Sequence, residues 1–280
     1  NILIPNQVVG DSKIKRVMAL ASEANIVVAA DDAGNVEQLS AAASGVGKEI
    51  GVIVEVNVGM NRCGTEPGED TTALARIITN SPGLRFDGVM GYEGHTVAVR
   101  DESERRANAE GAMANLISAV ENIEAAGMPV NVVSAAGTGT YNITGKMDRI
   151  TDLQCGSYIF MDGDYMEVFE DFKPALTVLA TVISRPTSDR AVLDTGMKSM
   201  SIDRGLPIVV DQPGATYEKI SEEHGIMSVE GDAQRLKVGD KVQLRPMHGD
   251  TTINLHSHYF GIRKNKLDSI IEIAGRGRFR

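Results

Sequence analysis

Met113-Ala-Asn-Leu-Ile-Ser-Ala-Val-Glu-Asn-Ile-Glu-Ala-Ala-Gly-Met-Pro-Val-Asn-Val-Val-Ser-Ala-Ala-Gly-Thr-Gly-Thr140 decides the fold class. Its first half repeats apolar residues at helical spacing: Met113, Leu116, Ile117, Val120 and Ile123 make one stripe. The stripe belongs to a helix running roughly from Glu102 to Ala126. Gly127 stops that helix and Pro129 forbids its continuation. The chain then enters Val130–Ala135, an apolar run too short for a helix and closed by glycines. A long helix feeding straight into a buried strand is half of a strand–helix–strand unit, and such units build parallel sheets.

Outward from this stretch the same grammar recurs. Ile2–Ile4, Asn25–Ala30, Ile50–Val58 and Leu84–Tyr92 read as earlier strands, and Ile150–Cys155 as a later one. Six strand–helix units fit a TIM-like (β/α)₈ barrel whose first two units are absent from this chain. A doubly wound open sheet uses the same units, and periodicity does not separate the two. Asn1-Ile-Leu-Ile-Pro5 reads as mid-strand, so the natural chain is expected to extend upstream of Asn1. Near Lys173 the helical period fades. Ala175–Ser184, Arg190–Asp194, Pro207–Val210, Gly225–Val229 and Asp240–Leu244 read as short strands separated by turns. The expected organisation is a partial barrel over 1–172 and a mostly β domain over 173–280.

The composition narrows the function. Of 280 residues, 28 are Lys or Arg and 38 Asp or Glu, a net charge of −10. An acidic chain without a basic run is a poor partner for nucleic acid or an anionic membrane. It also lacks an apolar run of about 18 residues, so no membrane span is expected. With no Trp, six Tyr and six Phe, the core must be Val, Ile, Leu, Ala and Met. The only cysteines, Cys63 and Cys155, are far apart in the chain; one disulfide between them is the alternative to two thiols in a reducing cytoplasm, the reading an α/β chain favours.

Polar and glycine-bearing segments fall at the ends of the expected strands, where a barrel keeps its chemistry. Ser134-Ala-Ala-Gly-Thr-Gly-Thr140 offers Thr138 and Gly139 as a phosphate cradle, because glycine lets backbone N–H groups approach an anion. A plain tight turn is the alternative. Gln154-Cys-Gly-Ser-Tyr158 is a second such segment, with Gly156, Ser157 and Tyr158. Gly59-Met-Asn-Arg-Cys-Gly64 presents Arg62, suited to a carboxylate or phenolate oxygen or else an exposed loop arginine. Gly91-Tyr-Glu-Gly-His-Thr96 presents Tyr92 and His95, each also compatible with a structural role. Met161-Asp-Gly-Asp-Tyr165 reads as a turn. Asp194-Thr-Gly-Met-Lys198, Ser201-Ile-Asp203 and Ser221-Glu-Glu-His-Gly225 cluster polar groups between strands, most simply as caps and turns.

Three of the five histidines lie in Pro246-Met-His-Gly-Asp-Thr-Thr-Ile-Asn-Leu-His-Ser-His258. On a strand, residues i and i+2 share a face. His248 and Asp250 would then present one nitrogen and one carboxylate oxygen to a divalent ion such as Mn, Mg, Co, Fe or Zn. A polar surface loop is the plain alternative.

Together, Gly59–Gly64, Ser134–Tyr141, Leu153–Asp162, Asp194–Pro207, Ser221–Gly225 and Pro246–His258 resemble the fold type III pyridoxal-phosphate enzymes, the alanine-racemase-like barrels. Within them the chain resembles the metal-activated D-threonine aldolase and D-serine dehydratase family. The resemblance implies a cytoplasmic homodimer using pyridoxal 5′-phosphate and a divalent cation on a small β-hydroxy-D-amino acid. Thr138, Gly139, Gly156, Ser157 and Tyr158 would hold the cofactor phosphate, Arg62 its phenolic oxygen, and Tyr92 would lie near the ring. His248 and Asp250 would bind the cation beside the substrate hydroxyl. Where the aldolases carry a histidine base several residues beyond Tyr92, this chain has Val97-Ala-Val99, leaving His95 as the available base. The imine-forming lysine of the family has no counterpart here and is expected upstream of Asn1; Lys198 is not expected to replace it. The implied reaction is retro-aldol cleavage to glycine and an aldehyde. Dehydration to a 2-oxo acid and ammonia is the alternative, disfavoured because the dehydratases more often carry His-x-Cys where this chain has His248-x-Asp250. A racemase and a non-catalytic cofactor carrier are the remaining alternatives.

Overall fold

Strand and helix alternate from Ile2 to Leu153 in the computed structural model, which describes residues 1–210 and 212–278. The strands are β1 (Ile2–Gln7), β2 (Ile26–Ala30), β3 (Ile50–Glu55), β4 (Leu84–Gly91), β5 (Val132–Ala135) and β6 (Asp152–Leu153). Between them lie helices α1 (Asp11–Leu20), α2 (Ala33–Gly45), α3 (Glu69–Asn80), α4 (Glu102–Ala125) and α5 (Tyr141–Thr144). All six strands are parallel and stand side by side in chain order. That order belongs to part of a (β/α) barrel; a doubly wound sheet reverses its strand order partway.

The helix that decides the fold is bounded as its sequence indicates. Asp101 caps α4 by accepting a bond from Glu104 N at 2.8 Å. At the far end Gly127 takes φ +84° and its N–H returns to Glu124 O at 2.9 Å.

Alternate residues of β3 divide the barrel wall into an outside and an inside. Val52, Val54 and Val56 face outward into a core shared with Leu74, Ile78, Leu116 and Val120 of α3 and α4. Gly51, Ile53 and Glu55 occupy the intervening positions and mark three levels. At the amino end, a Cβ on Gly51 would lie 2.0 Å from Asp87 Oδ2, so only glycine leaves room for the Asp87 carboxylate. Arg85 grips that carboxylate with two bonds of 2.6 and 2.9 Å. In the middle, Ile53 packs with Ala29 and Met90. At the carboxyl end Glu55 accepts a short hydrogen bond from Gln7. Stacked layers of this kind make a barrel interior a packed core rather than a pore.

The compact units divide between Gly156 and Ser157. Residues 157–172, grouped with the barrel in the sequence reading, begin the second unit. There α6 (Gly163–Met166) is held by a bond from Gly163 N to Pro246 O at 2.9 Å. The second unit carries β7 (Val178–Thr187), β8 (Arg190–Leu193), β9 (Ile208–Val210), β10 (Ala215–Ile220), β11 (Gly225–Val229) and β12 (Lys241–Arg245). They pair antiparallel in the order β10-β11-β8-β7-β12-β9. Ala180, Val182, Leu193, Met200, Tyr217, Met227, Val242 and Leu244 form its core. Helix α7 (Gly249–Ile253) and a hairpin of β13 (His258–Arg263) and β14 (Lys266–Glu272) complete it. The sequence reading lacks β10 and this hairpin. β10 is an edge strand rich in polar residues, and the hairpin turns at Lys264 and Asn265, both at positive φ, without a glycine to announce it. No helix among the described residues is long and apolar enough to cross a membrane.

Candidate active site

The loops after β3, β4 and β5 meet around one aromatic ring. Tyr92 follows β4 directly and is half-buried. The Arg62 guanidinium, from the loop after β3, lies 5.5 Å from the Tyr92 ring centroid, a cation–π distance. A Cβ on Gly137, from the loop after β5, would lie 3.2 Å from Tyr92 Oη and 3.0 Å from its ring. His95 covers the β3 loop: a Cβ on Gly59 would lie 3.3 Å from His95 Nε2, and the imidazole itself is exposed. Arg62, Tyr92, His95 and the Gly137–Gly139 loop, four elements singled out in the sequence, are thus brought together.

Beneath Arg62 lies Glu55, 5% exposed, with its carboxylate 4.0 Å from the guanidinium. Burial raises the Glu55 carboxyl above its usual range, while Gln7, then Arg62, oppose the rise. Asp31, Glu55 and Cys63 bring donor atoms within 4.8 Å of one another. Arg62 and Gln7 already serve Glu55, and Asp31 accepts from Gly64 N at 2.9 Å, so this trio is an anchor for the loop.

The loop after β5 is buried and tightly held. Thr138 is 2% exposed. Gly139 passes so close to Val97 that a Cβ would lie 1.8 Å from the Val97 carbonyl oxygen. Hydroxyl and N–H donors on a rigid glycine-bearing loop suit an anion. Gly156 stands exposed just beyond β6, which Gln154 N ties to Ala135 O of β5 at 2.9 Å. Ser157 and Tyr158 open the second unit in a single 3₁₀ turn, with the Tyr158 ring 5.4 Å from that of Phe172. Lys198 is exposed and bound to Glu223 at 2.5 Å.

In the second unit the expected strand through His248 and Asp250 is absent. β12 ends at Arg245, before Pro246, and His248 caps α7 with extended backbone at φ −133°, ψ 114°. Asp250 lies in the first turn of α7, where an acidic residue is favoured. The side chains converge nonetheless, with His248 Nε2 3.6 Å from Asp250 Oδ2. Two donors each about 2.1 Å from a shared ion stand roughly 3 to 3.6 Å apart, so the pair is spaced for one cation.

His248 is oriented from behind. Its Nδ1 donates to Asp203 Oδ2 at 2.5 Å, which leaves Nε2 on the Asp250 side. Asp203 also accepts from Ser201 Oγ at 2.6 Å and Thr251 Oγ1 at 2.8 Å. Partial burial works against ionisation of Asp203, but these bonds prevail and hold it at about 2. The Asp250 carboxylate, and then Asp203, push the His248 imidazole up to about 9. Asp162, read only as a turn residue, is buried and bonds Gly249 N at 2.9 Å and Tyr165 N at 3.0 Å, fixing the start of α7. His256 bonds the Ser199 carbonyl at 2.8 Å, and His258 begins the hairpin.

Comparisons agree with this architecture. The N-terminal domain model of alanine racemase matches residues 7–164, and a putative serine dehydratase domain model matches 175–262. The chain is 35% identical to 3-hydroxy-D-aspartate aldolase of Paracoccus denitrificans and 37% identical to D-threonine aldolase of an Arthrobacter species. Each alignment covers 99% of this chain and 74% of the relative. The crystal structure of D-threonine aldolase from Filomicrobium marinum superposes with a TM-score of 0.97 at 37% identity, over 100% of this chain and 77% of that one. The chain therefore belongs to the alanine-racemase-like, fold type III pyridoxal-phosphate family, in the branch that carries a serine dehydratase-type domain.

Proposed function

We propose that the protein is a carbon–carbon lyase that cleaves β-hydroxy-D-amino acids to glycine and an aldehyde. The likeness of the whole chain to D-threonine and 3-hydroxy-D-aspartate aldolases carries this reading. The donors around Tyr92 fit pyridoxal 5′-phosphate. Thr138, Gly139 and Gly156 would hold its phosphate, Arg62 its phenolic oxygen, and Tyr92 would face the ring. When bound, the cofactor supplies a sink for the electron pair released by the broken bond. His248 and Asp250 would hold a divalent cation, which lowers the pKa of a bound hydroxyl. His95 is the base for the β-hydroxyl proton: its exposed imidazole lies over the Gly59 loop, on the same loop as Tyr92. Glu55 keeps Arg62 in place through their ion pair.

Product analysis tests the reading. The full-length protein incubated with D-threonine, 3-hydroxy-D-aspartate and D-serine should release glycine and the matching aldehyde from the first two. Release of only a 2-oxo acid and ammonia would favour the dehydratase reading, for which the serine dehydratase-type domain speaks. The free thiols of Cys63 and Cys155 suit a cytoplasmic location. A homodimer is the assembly proposed, with a single peak at twice the protomer mass as its expected signature.

A further inference from the structure

Glu93 is a fully buried carboxylate that the proposed reaction does not use. It lies between Tyr92 and Gly94, yet its side chain turns away to the loop after β5. Ala136 N–H donates to Oε2 at 3.0 Å, and the hydroxyls of Thr140 and Thr144 donate to Oε1 at 2.7 Å each. Thr140 Oγ1 in turn accepts from Gly137 N at 3.1 Å. The Glu93 carbonyl accepts from both the N–H and the hydroxyl of Thr96 at 2.9 Å, so its own backbone is fixed.

The residue type matters. An ionised carboxylate only accepts, and its two oxygens have room for all three donors at once. An amide in its place would keep one accepting oxygen and turn an NH₂ toward groups that already donate. The loop also needs holding. Ala136 sits at φ +67°, a left-handed conformation that is strained for a non-glycine residue. The N–H of this strained residue is the one Glu93 binds. Two residues on, Thr138 begins the stretch that Val97 confines against Gly139.

We propose that Glu93 is a positioning residue for phosphate recognition: its carboxylate fixes Ala136–Thr140 in the backbone shape that offers Thr138 and Gly139 to a phosphate monoester. The proposal rests on the cofactor reading above and assigns that reading's phosphate selectivity to a residue that never touches the phosphate.

Affinities for pyridoxal 5′-phosphate and for phosphate-free pyridoxal separate this role from general support of the fold. They are measured on the cofactor-free full-length protein as wild type, Glu93→Gln and Thr144→Val. Glu93→Gln should weaken pyridoxal 5′-phosphate about tenfold, the loss of a charge-assisted bond, and leave pyridoxal unchanged. Thr144→Val removes one of the three donors at constant shape and should cut the preference for the phosphorylated ligand about threefold. It carries the test if Glu93→Gln does not fold. Equal weakening of both ligands, or an unchanged preference in both variants, overturns the proposal. A wild type that binds the two ligands equally well overturns the cofactor reading itself and this proposal with it.

Discussion

Replacing Asp203 tests whether His248 is a prepared ligand. Asp203→Asn keeps the shape and an accepting oxygen 2.5 Å from His248 Nδ1 but removes the charge. A hydrogen bond to a charged group contributes about 1.5–3 kcal/mol, roughly twice a neutral one. The substitution should therefore cost about 1–1.5 kcal/mol of His248 orientation and basicity, or about tenfold in cation affinity. Asp203→Ala removes the whole bond, strands Ser201 and Thr251, and should cost about a hundredfold, the upper end for partners of metal-bound histidines. Competition of Mn²⁺ between the protein and a chromophoric chelator at fixed pH measures both. Glu218→Ala, which loses only an exposed bond to Ser228, is the control. Affinities of both Asp203 variants equal to that of the control would mean that Asp203 does not prepare His248 for the cation.

Tyr217 makes stability depend on pH at the alkaline end. Burial pushes its hydroxyl up to about 12, and the hydroxyl donates to Thr195 O at 2.6 Å. Between the ordinary value near 10 and that raised value the folded state holds more protons than the unfolded one, so stability falls as pH rises. By pH 11 the wild type should lose about 1.4 kcal/mol more than Tyr217→Phe, read from urea midpoints at pH 8 and 11. Equal losses would count against it. Gly139→Ala forces a methyl against the Val97 carbonyl and should weaken pyridoxal 5′-phosphate by more than about tenfold, measured by fluorescence titration. Gly111→Ala, on the exposed face of α4 with nothing within 4 Å of the added methyl, should leave binding intact and stabilise by about 0.5–1 kcal/mol in thermal melts.

The barrel was legible because its strands are short apolar runs between helical stripes, and Val130–Ala135 after Gly127 is the plainest of them. Glu55 was also visible in principle, as the one carboxylate inside the apolar strand that begins at Ile50. Glu93 and Asp203 were not. Their meaning lies in partners 43, 51 and 45 residues distant in the chain, a pairing that only the folded backbone creates. His248-x-Asp250 stands out by its spacing, but its backbone is a helix start rather than an alternating strand. Pro246 ends the strand, and Gly249-Asp-Thr-Thr starts a helical turn. A cap residue and a first-turn residue happen to converge much as two same-face strand residues would. β10 and the last hairpin escaped because edge strands and glycine-free turns lack the alternation and punctuation that mark central strands.

A cation held by His248 and Asp250 should be needed for carbon–carbon cleavage. Glycine release from D-threonine by the full-length protein, followed before chelation, after it and after Mn²⁺ is restored, tests this most directly. Cleavage should stop on chelation, return with Mn²⁺ in the wild type and fail to return in Asp250→Ala. Glycine release at an undiminished rate after complete chelation would mean that cleavage does not depend on the cation.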